Sequence, residues 1–224
     1  KTVHEFSSKT LVQLISSELD NPDLLILDGI SNALVDISKK QELEQMVLDL
    51  VETQINSISQ RAYQLYLFRD AIQEDQKAIL ILDHIESDLN KVIPILLKLG
   101  TLKDPEVPIE TYIRYVKSHD PELLPVVLEL VDTTFSPENR KRTLPLIDPD
   151  ANLNKIGKEL FPSMLDEPDK MLEFWIKNSH LWKTGIAIHY ILKTENIGLM
   201  KKIHWESIPN SIFSKNLLIK RRLF

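Results

Sequence analysis

The sequence predicts an all-α fold, an α-solenoid of HEAT- or armadillo-like helix pairs. Apolar residues recur at helical spacing along nearly the whole chain, and no period-2 alternation persists long enough for a sheet. Pairs of a polar residue and Pro also recur at regular intervals. With 224 residues, 43% of them hydrophobic, the chain can bury a sizeable core. We expect residues 1–224 to form one helical-repeat domain. Since the first residue is not Met, we expect a fragment of a larger multidomain protein.

The apolar spacing places the helices in order along the chain. Between Leu43 and Ile72 the apolar positions advance in steps of three and four, which is the pattern of one helix face. The same pattern predicts further helices over Ser8–Leu19, Asp23–Ile37, Asp75–Leu99, Val107–Ser118, Glu122–Thr133, Pro137–Ile147, Leu153–Phe161, Lys170–Lys177, Trp182–Lys193 and Ser211–Leu223. The predicted domain is therefore helical from end to end.

Polar residues followed by Pro mark the predicted helix starts. Asp, Asn and Ser side chains can cap the free N–H groups of a first turn, and Pro at the first helical position loses no hydrogen bond. From Asp104 through Asp120 to Ser136 these pairs recur every 16 residues, so two helices repeat about every 32. The pairs are Asn21-Pro22, Asp104-Pro105, Asp120-Pro121, Ser136-Pro137, Asp148-Pro149 and Glu167-Pro168. This recurrence favours a solenoid, although an irregular bundle could contain similar starts.

Three further prolines are predicted inside helices, where each would remove a backbone hydrogen bond and bend the helix. They are Pro94, Pro125 and Pro145. The helix predicted over Glu122–Thr133 is apolar on almost every side. We therefore expect neighbours to cover it on both flanks, as they cover an inner layer of a solenoid.

The order of these segments resembles the HEAT-like repeat region of bacterial ATP/ADP-translocase-like membrane proteins. The strongest part of the resemblance is Val127–Asp132 (VLELVD), followed by Asn139–Arg142 (NRKR) and Leu144–Asp148 (LPLID). Upstream, Arg61–Leu65 (RAYQL) occurs in the order expected for the family. Downstream, Trp182–Tyr190 is similar to a family helix that begins with Trp. The resemblance covers residues 23–200. It implies a helical solenoid that follows a nucleotide-transporter-type membrane domain.

Composition excludes several classes of function. The chain has no Cys, which removes disulfides, thiolate catalysis and zinc–thiolate sites. Five Gly leave no Gly-rich phosphate loop. A net charge of −6 argues against a nucleic-acid duplex as partner, because such binding depends on Lys and Arg. The basic runs Arg140–Arg142 and Lys220–Arg222 are interpreted as solvated surface, with anionic lipid as the alternative.

One stretch, Asp148–Glu159, could be interpreted as a calcium loop. Its oxygen ligands would stand at loop positions 1, 3, 5 and 12, namely Asp148, Asp150, Asn152 and Glu159. The sixth position, however, holds Leu153 where the sharp turn needs Gly, and the eighth holds Lys155. We therefore interpret this stretch as a capped turn between two helices and expect no calcium binding there.

No pattern of catalytic or cofactor-binding residues stands out. The six His residues never occur three or four apart, so no helix presents a paired metal site: His4, His84, His119, His180, His189 and His204. Aromatic residues concentrate in the C-terminal third, where they either fill a core or anchor a neighbouring domain. They are Phe161, Phe174, Trp175, Trp182, Tyr190 and Trp205. We predict no catalytic residues, no cofactor and no bound metal.

The sequence thus predicts a non-enzymatic scaffold or regulatory module. The resemblance implies that it is the cytoplasmic part of a bacterial inner-membrane protein, reaching the membrane only through the parent chain. Its partners would be neighbouring domains of that protein or another protein, and no nucleic acid. The first alternative is a free-standing cytoplasmic scaffold for protein–protein interaction. A more distant alternative is a helical-repeat enzyme that acts on nucleic acid.

Overall fold

The computed structural model describes residues 23–118, 120–178, 181–204 and 208. Within these ranges the regular secondary structure consists of ten α-helices and one short 3-10 helix, with no strand. The all-α prediction is confirmed. The predicted helices Ser8–Leu19 and Ser211–Leu223, and the pair Asn21-Pro22, lie outside the described residues.

Most of the described helices lie where the apolar spacing predicts them. They are α1 (Leu24–Ser38), α2 (Gln45–Ile72), α3 (Ile79–Gly100), α4 (Ile109–Ser118), α5 (Leu124–Thr134), α6 (Pro137–Ile147), α7 (Leu153–Leu160), α8 (Pro168–Asn178), α9 (Leu181–Thr194) and α10 (Ile197–Lys202). A 3-10 helix, Gln76–Ala78, precedes α3. The sequence pattern missed α10, because six residues are too few to show a helical period.

The polar–Pro pairs begin helices at two of the five described places. Ser136 caps α6, accepting a hydrogen bond from the N–H of Asn139 at 3.4 Å, and α8 begins at Pro168 itself. The other three pairs lie in turns: Asp104-Pro105, Asp120-Pro121 and Asp148-Pro149. The starts of α4, α5 and α6 are consequently 15 and 13 residues apart, so the 16-residue recurrence belongs to the Pro pairs and not to the helix starts.

Two of the three internal prolines are found inside helices, Pro94 in α3 and Pro145 in α6. Pro125 is not. Because α5 begins at Leu124, Pro125 lies in its first turn, where its missing N–H removes no helical hydrogen bond. The prediction of a bend at Pro125 was therefore wrong.

The burial of α5 also differs from the prediction. Val127, Leu130 and Val131 are buried, whereas Val126 is 41% exposed and Leu128 is half-buried. The sequence neighbours α4 and α6 both contact α5. These two helices cover only one face of α5. An apolar composition on all sides does not by itself provide enough neighbouring helices to cover every side. The expectation of burial on both flanks was wrong.

The chain divides into two compact units. Unit 1 contains the described residues 23–67 and 86–164, and unit 2 contains residues 68–85 together with the described residues from 165 onward. The helices α2 and α3 each contribute residues to both units. The single repeat domain over residues 1–224 stays a prediction.

In unit 1, two ion pairs hold the first three described helices together. Arg61 of α2 contacts the buried carboxylate of Asp88 in α3 at 3.2 Å. Lys98 of α3 is only 6% exposed, and its Nζ donates a hydrogen bond to Oδ1 of Asp28 in α1 at 2.8 Å. A buried charge without a partner would cost several kcal/mol, on the order of 3–5. These pairs therefore determine which faces of the helices meet.

Contacts in unit 1 run both to the next helix and across long stretches of sequence. Each helix from α4 to α7 contacts the following one within that series. In addition, the Nδ2 of Asn139 in α6 donates to Glu52 of α2 at 2.6 Å, and the hydroxyl of Tyr63 donates to the backbone carbonyl of Arg142 at 3.1 Å. Unit 1 is thus organised around α2 as well as by contacts between sequence neighbours.

The core of unit 2 is built on Trp175, which is 2% exposed. The rings of Phe68 and His84 meet the Trp175 ring edge to face, at centroid distances of 5.3 and 5.7 Å. Trp175 lies on α8, and α9 contacts both α8 and the 3-10 helix. Aromatic pairs of this geometry contribute about 0.5–1.5 kcal/mol each beyond their buried area.

Gly100, the last residue of α3, tests how tightly unit 1 is packed. A Cβ added at this position would overlap the buried ring of Phe135. We expect Gly100→Ala to destabilise the protein by about 1–3 kcal/mol in urea unfolding, the usual cost of overpacking a core.

The matched control is Gly29→Ala in α1, because a Cβ there would meet no atom within 4 Å. Ala also favours a helix over Gly by about 0.5–1 kcal/mol, so this variant should be neutral or more stable. Equal effects of the two substitutions would show that Phe135 does not pack on Gly100.

Candidate functional site

Four described aromatic residues of the C-terminal third fall into a buried and an exposed group, and Tyr190 is half-buried. Phe161 and Trp175 are 7% and 2% exposed and belong to the cores of unit 1 and unit 2, respectively. Trp182 and Phe174, both in unit 2, are 73% and 47% exposed. Trp205 lies outside the described residues. The core interpretation is confirmed for Phe161 and Trp175, and the anchor interpretation stays a prediction for Phe174 and Trp182.

Trp175 is held on several sides. Besides the two ring contacts of the unit 2 core, the Nζ of Lys183 lies 4.4 Å from the centroid of the Trp175 ring. The hydroxyl of Thr184 donates to the Trp175 carbonyl at 3.4 Å. A cation over an indole face is a favourable electrostatic arrangement. These contacts connect α8 to α9 and leave Trp175 no surface for a partner.

Trp182 is the most exposed large apolar side chain among the described residues, and it lies in the first turn of α9. Four other large apolar side chains of unit 2 are also strongly exposed. Together we call them the exposed apolar set: Ile79, Leu80, Phe174, Trp182 and Ile197, at 68, 48, 47, 73 and 62%. Trp is enriched in the energetically dominant positions of protein interfaces. Trp182 is accordingly the candidate contact residue of this chain.

Helical spacing could have separated the two groups of aromatic residues. In α8 the buried residues are Met171, Leu172 and Trp175, which share one helix face. Phe174 precedes Trp175 by one position and therefore points away from that face. No comparable signal was available for Trp182, since α9 is apolar over much of its surface and its covered face depends on tertiary contacts.

A hydrogen-bonded tyrosine–carboxylate pair joins two elements of unit 2. The hydroxyl of Tyr190 in α9 donates to Oδ2 of Asp75 at 2.8 Å, and Oδ1 of Asp75 accepts from the N–H of Lys77 at 2.8 Å. The backbone hydrogen bond first, and then Tyr190, lower the pKa of Asp75. Burial first, and then the bond to Asp75, raise the pKa of Tyr190. The pair joins α9 to the 3-10 helix.

The stretch that resembles a calcium loop forms a turn followed by a helix. Asp148 ends α6, and its Oδ1 accepts from the N–H of Asp150 at 3.0 Å. Asn152 caps α7, accepting from the N–H of Lys155 at 3.0 Å. Glu159 lies within α7, 4.0 Å from the Nζ of Lys155. This is the capped turn that we favour, and the absence of bound calcium stays a prediction.

The described basic run lies on α6, and its arginines have acidic partners. Arg140 donates to the carbonyl and carboxylate of Asp132 at 2.9 and 3.2 Å, and Arg142 donates to Glu138 at 3.3 Å. Such exposed pairs contribute about 0–1 kcal/mol each. This arrangement favours a solvated helix face over a lipid-binding one. The run Lys220–Arg222 lies outside the described residues.

Histidines and carboxylates do not converge in the described part of the chain, where no three of the possible ligands His, Cys, Asp and Glu form a metal-binding group. His189 is partly buried in α9, and burial first, then the charge of Lys193, lower its pKa. His84 contacts Trp175 in the unit 2 core. His4, His119 and His180 lie outside the described residues.

Among the helices of the described ranges, none has the combination of length and apolar character that crossing a membrane requires. Neither a family model, nor a curated protein, nor a solved structure matches the chain.

We expect the two described tryptophans of unit 2 to respond oppositely to substitution. Trp175→Ala should lower the free energy of unfolding by about 3–5 kcal/mol, because it empties a buried aromatic site. Trp182→Ala should change it by less than about 0.5 kcal/mol, as for most exposed positions.

Iodide quenching of fluorescence provides an independent measurement. In a Trp205→Phe background, Trp182→Phe should remove most of the iodide-accessible emission, whereas Trp175→Phe should leave it. Strong destabilisation by Trp182→Ala would indicate that Trp182 packs within the protein, and would contradict its assignment as a surface residue.

The Tyr190–Asp75 pair predicts a specific pH dependence. In the folded chain Tyr190 stays protonated above its ordinary pKa of 10.0, so its contribution to stability decreases as the pH rises through 10. Asp75 stays ionised below its ordinary pKa of 3.8, so its contribution decreases as the pH falls through that value. Tyr190→Phe should reduce the alkaline loss to the part that Tyr63 contributes, because burial raises the pKa of Tyr63 as well. It should also weaken the acid loss without removing it, because the N–H of Lys77 still stabilises the carboxylate.

Urea unfolding between pH 3 and 11 measures both slopes. Tyr115→Phe in α4 is the control and should keep the wild-type profile, since both members of the pair remain. An unchanged alkaline slope in Tyr190→Phe would contradict the pairing.

Proposed function

We propose that this chain is a non-enzymatic helical scaffold or regulatory module. Its exposed apolar set, with Trp182 as the anchor, contacts a neighbouring domain of a larger protein or another protein. The observation that carries the proposal is the 73% exposure of a Trp side chain beside a unit core that already contains a fully packed Trp175. An interface that buries Trp182 gains apolar burial of roughly 25 cal/mol per Å².

We propose further that the module adopts a HEAT-like solenoid and is the cytoplasmic part of a bacterial ATP/ADP-translocase-like membrane protein. The contacts between successive helices from α4 to α7 support the solenoid. The residue resemblance over Val127–Asp132, Asn139–Arg142 and Leu144–Asp148 supports the parent protein. Membrane attachment would come only through the parent chain.

The reading frame that contains this sequence distinguishes the two leading forms of the proposal. A membrane parent requires about a dozen long apolar segments before Lys1, each of roughly 20 residues. A frame without them would leave a free-standing scaffold. No described observation favours the third possibility, an enzyme acting on nucleic acid, and the net charge of −6 opposes it.

Site-directed photo-crosslinking tests the contact itself. We expect benzoylphenylalanine at position 182 of the full-length protein, in its native cells, to form a discrete adduct. An adduct within the parent chain would support contact with a neighbouring domain, and an adduct with a separate protein would support the free-standing scaffold.

The matched control places the same probe at Lys155, whose side chain is 74% exposed but which is polar and lies on α7 in unit 1. We expect no discrete adduct there. The same set of adducts at both positions, or none at either, would contradict the proposal that Trp182 is an interface residue.

A further inference from the structure

Three buried polar atoms of unit 1 have no hydrogen-bond partner among the described residues. They are Oγ of Ser59, Oδ1 of Asn139 and Oγ1 of Thr143. Ser59 and Thr143 are 0% exposed, and Asn139 is 2% exposed. Folded proteins satisfy most buried polar atoms, because removing such an atom from water without a replacement bond is costly. The two hydroxyls, which belong to different helices, therefore call for an explanation.

The positions of the three residues place them in one seam between α2 and α6. On α2, Ser59 follows Glu52 by seven residues and precedes Tyr63 by four, so all three share one helix face. On α6, Asn139 and Thr143 are four residues apart and also share a face. The two faces therefore carry the polar residues of the seam.

Hydrogen bonds join these two faces on both sides of Ser59. Toward the start of α2, Asn139 donates to Glu52 at 2.6 Å, and toward its end Tyr63 donates to the carbonyl of Arg142 at 3.1 Å. Helical side chains lean toward the N-terminus, so the long Tyr63 side chain carries its hydroxyl back toward the level of Ser59. Thr143, the residue after Arg142, thus lies opposite Ser59.

We infer that one structural water molecule binds in this seam, hydrogen-bonded to the hydroxyls of Ser59 and Thr143. A water can donate to one hydroxyl oxygen while it accepts from the other hydroxyl. Buried waters occupy polar sites, while apolar cavities stay dry. One water therefore satisfies both hydroxyl oxygens.

The charge in the seam does not favour a cation as the occupant. Its carboxylate, Glu52, already accepts from Asn139 and from the Ser136 hydroxyl at 3.5 Å. Lys103 also lies 3.8 Å from Glu52 and balances its charge. A neutral donor and acceptor fits this surrounding better than a second positive ion does.

A crystal structure of the full chain, at a resolution that places ordered waters, tests the inference directly. We expect an ordered water within hydrogen-bonding distance of both Oγ of Ser59 and Oγ1 of Thr143. A direct bond between the two hydroxyls, or the absence of an ordered water that contacts both, would overturn the inference.

Oxygen-17 magnetic relaxation dispersion, which counts long-lived internal waters, provides the second test. The double variant Ser59→Ala/Thr143→Val should lose about one such water relative to the wild type. The control is Ser31→Ala/Thr101→Val, because these buried hydroxyls donate to the backbone carbonyls of Asp28 and Leu97, three and four residues earlier in the chain. It should keep the wild-type count.

An unchanged count in Ser59→Ala/Thr143→Val, or an equal loss in the control, would overturn the inference. Should that double variant not fold, the single variant Thr143→Val replaces it and should show the same loss. The crystal structure of the wild type decides independently of every variant.

Discussion

The side chain of Tyr63 is fully buried and reaches three later segments of unit 1. Its hydroxyl donates to the carbonyl of Arg142, its ring lies 5.8 Å from that of Phe161, and the absence of a side chain at Gly157 makes room for it. Burial raises the pKa of this phenol, since an ionised oxygen would lose its hydration. The positions of α6 and α7 relative to α2 therefore depend on the protonated hydroxyl of Tyr63 and on the space that Gly157 leaves for its ring.

Charge restricts the same unit in a second way. Lys98 and Asp88 are both nearly inaccessible, and they contact the oppositely charged side chains of Asp28 and Arg61, respectively. Apolar faces alone would tolerate a shift of one helix along another, because such contacts are not directional. A shift that separated Lys98 from Asp28 would leave a buried charge unpaired. The ion pairs thus select one alignment among several that would bury similar apolar area.

Local patterns predicted the helices well and their surroundings poorly. The spacing predicted a helix ending at Ile72, and Ser136 with Pro137 predicted the start of α6, because these signals lie within or next to the element itself. Whether Trp182 or Trp175 would be buried depends on α9, and the bond from Tyr190 to Asp75 spans 115 residues. A helical period shows which face is apolar, but it does not show which element covers that face.

The composition of unit 2 has a consequence for biosynthesis. Its first segment, residues 68–85, leaves the ribosome long before the helices that complete it. At roughly 5–20 residues per second, Tyr190 is added between about 6 and 23 s after its partner Asp75. Trp175 is added between about 5 and 20 s after Asp75, and until then Phe68 and His84 lack the ring that later covers them. Part of the unit 2 core therefore stays incomplete for many seconds in the nascent chain, while most of unit 1 is being synthesised.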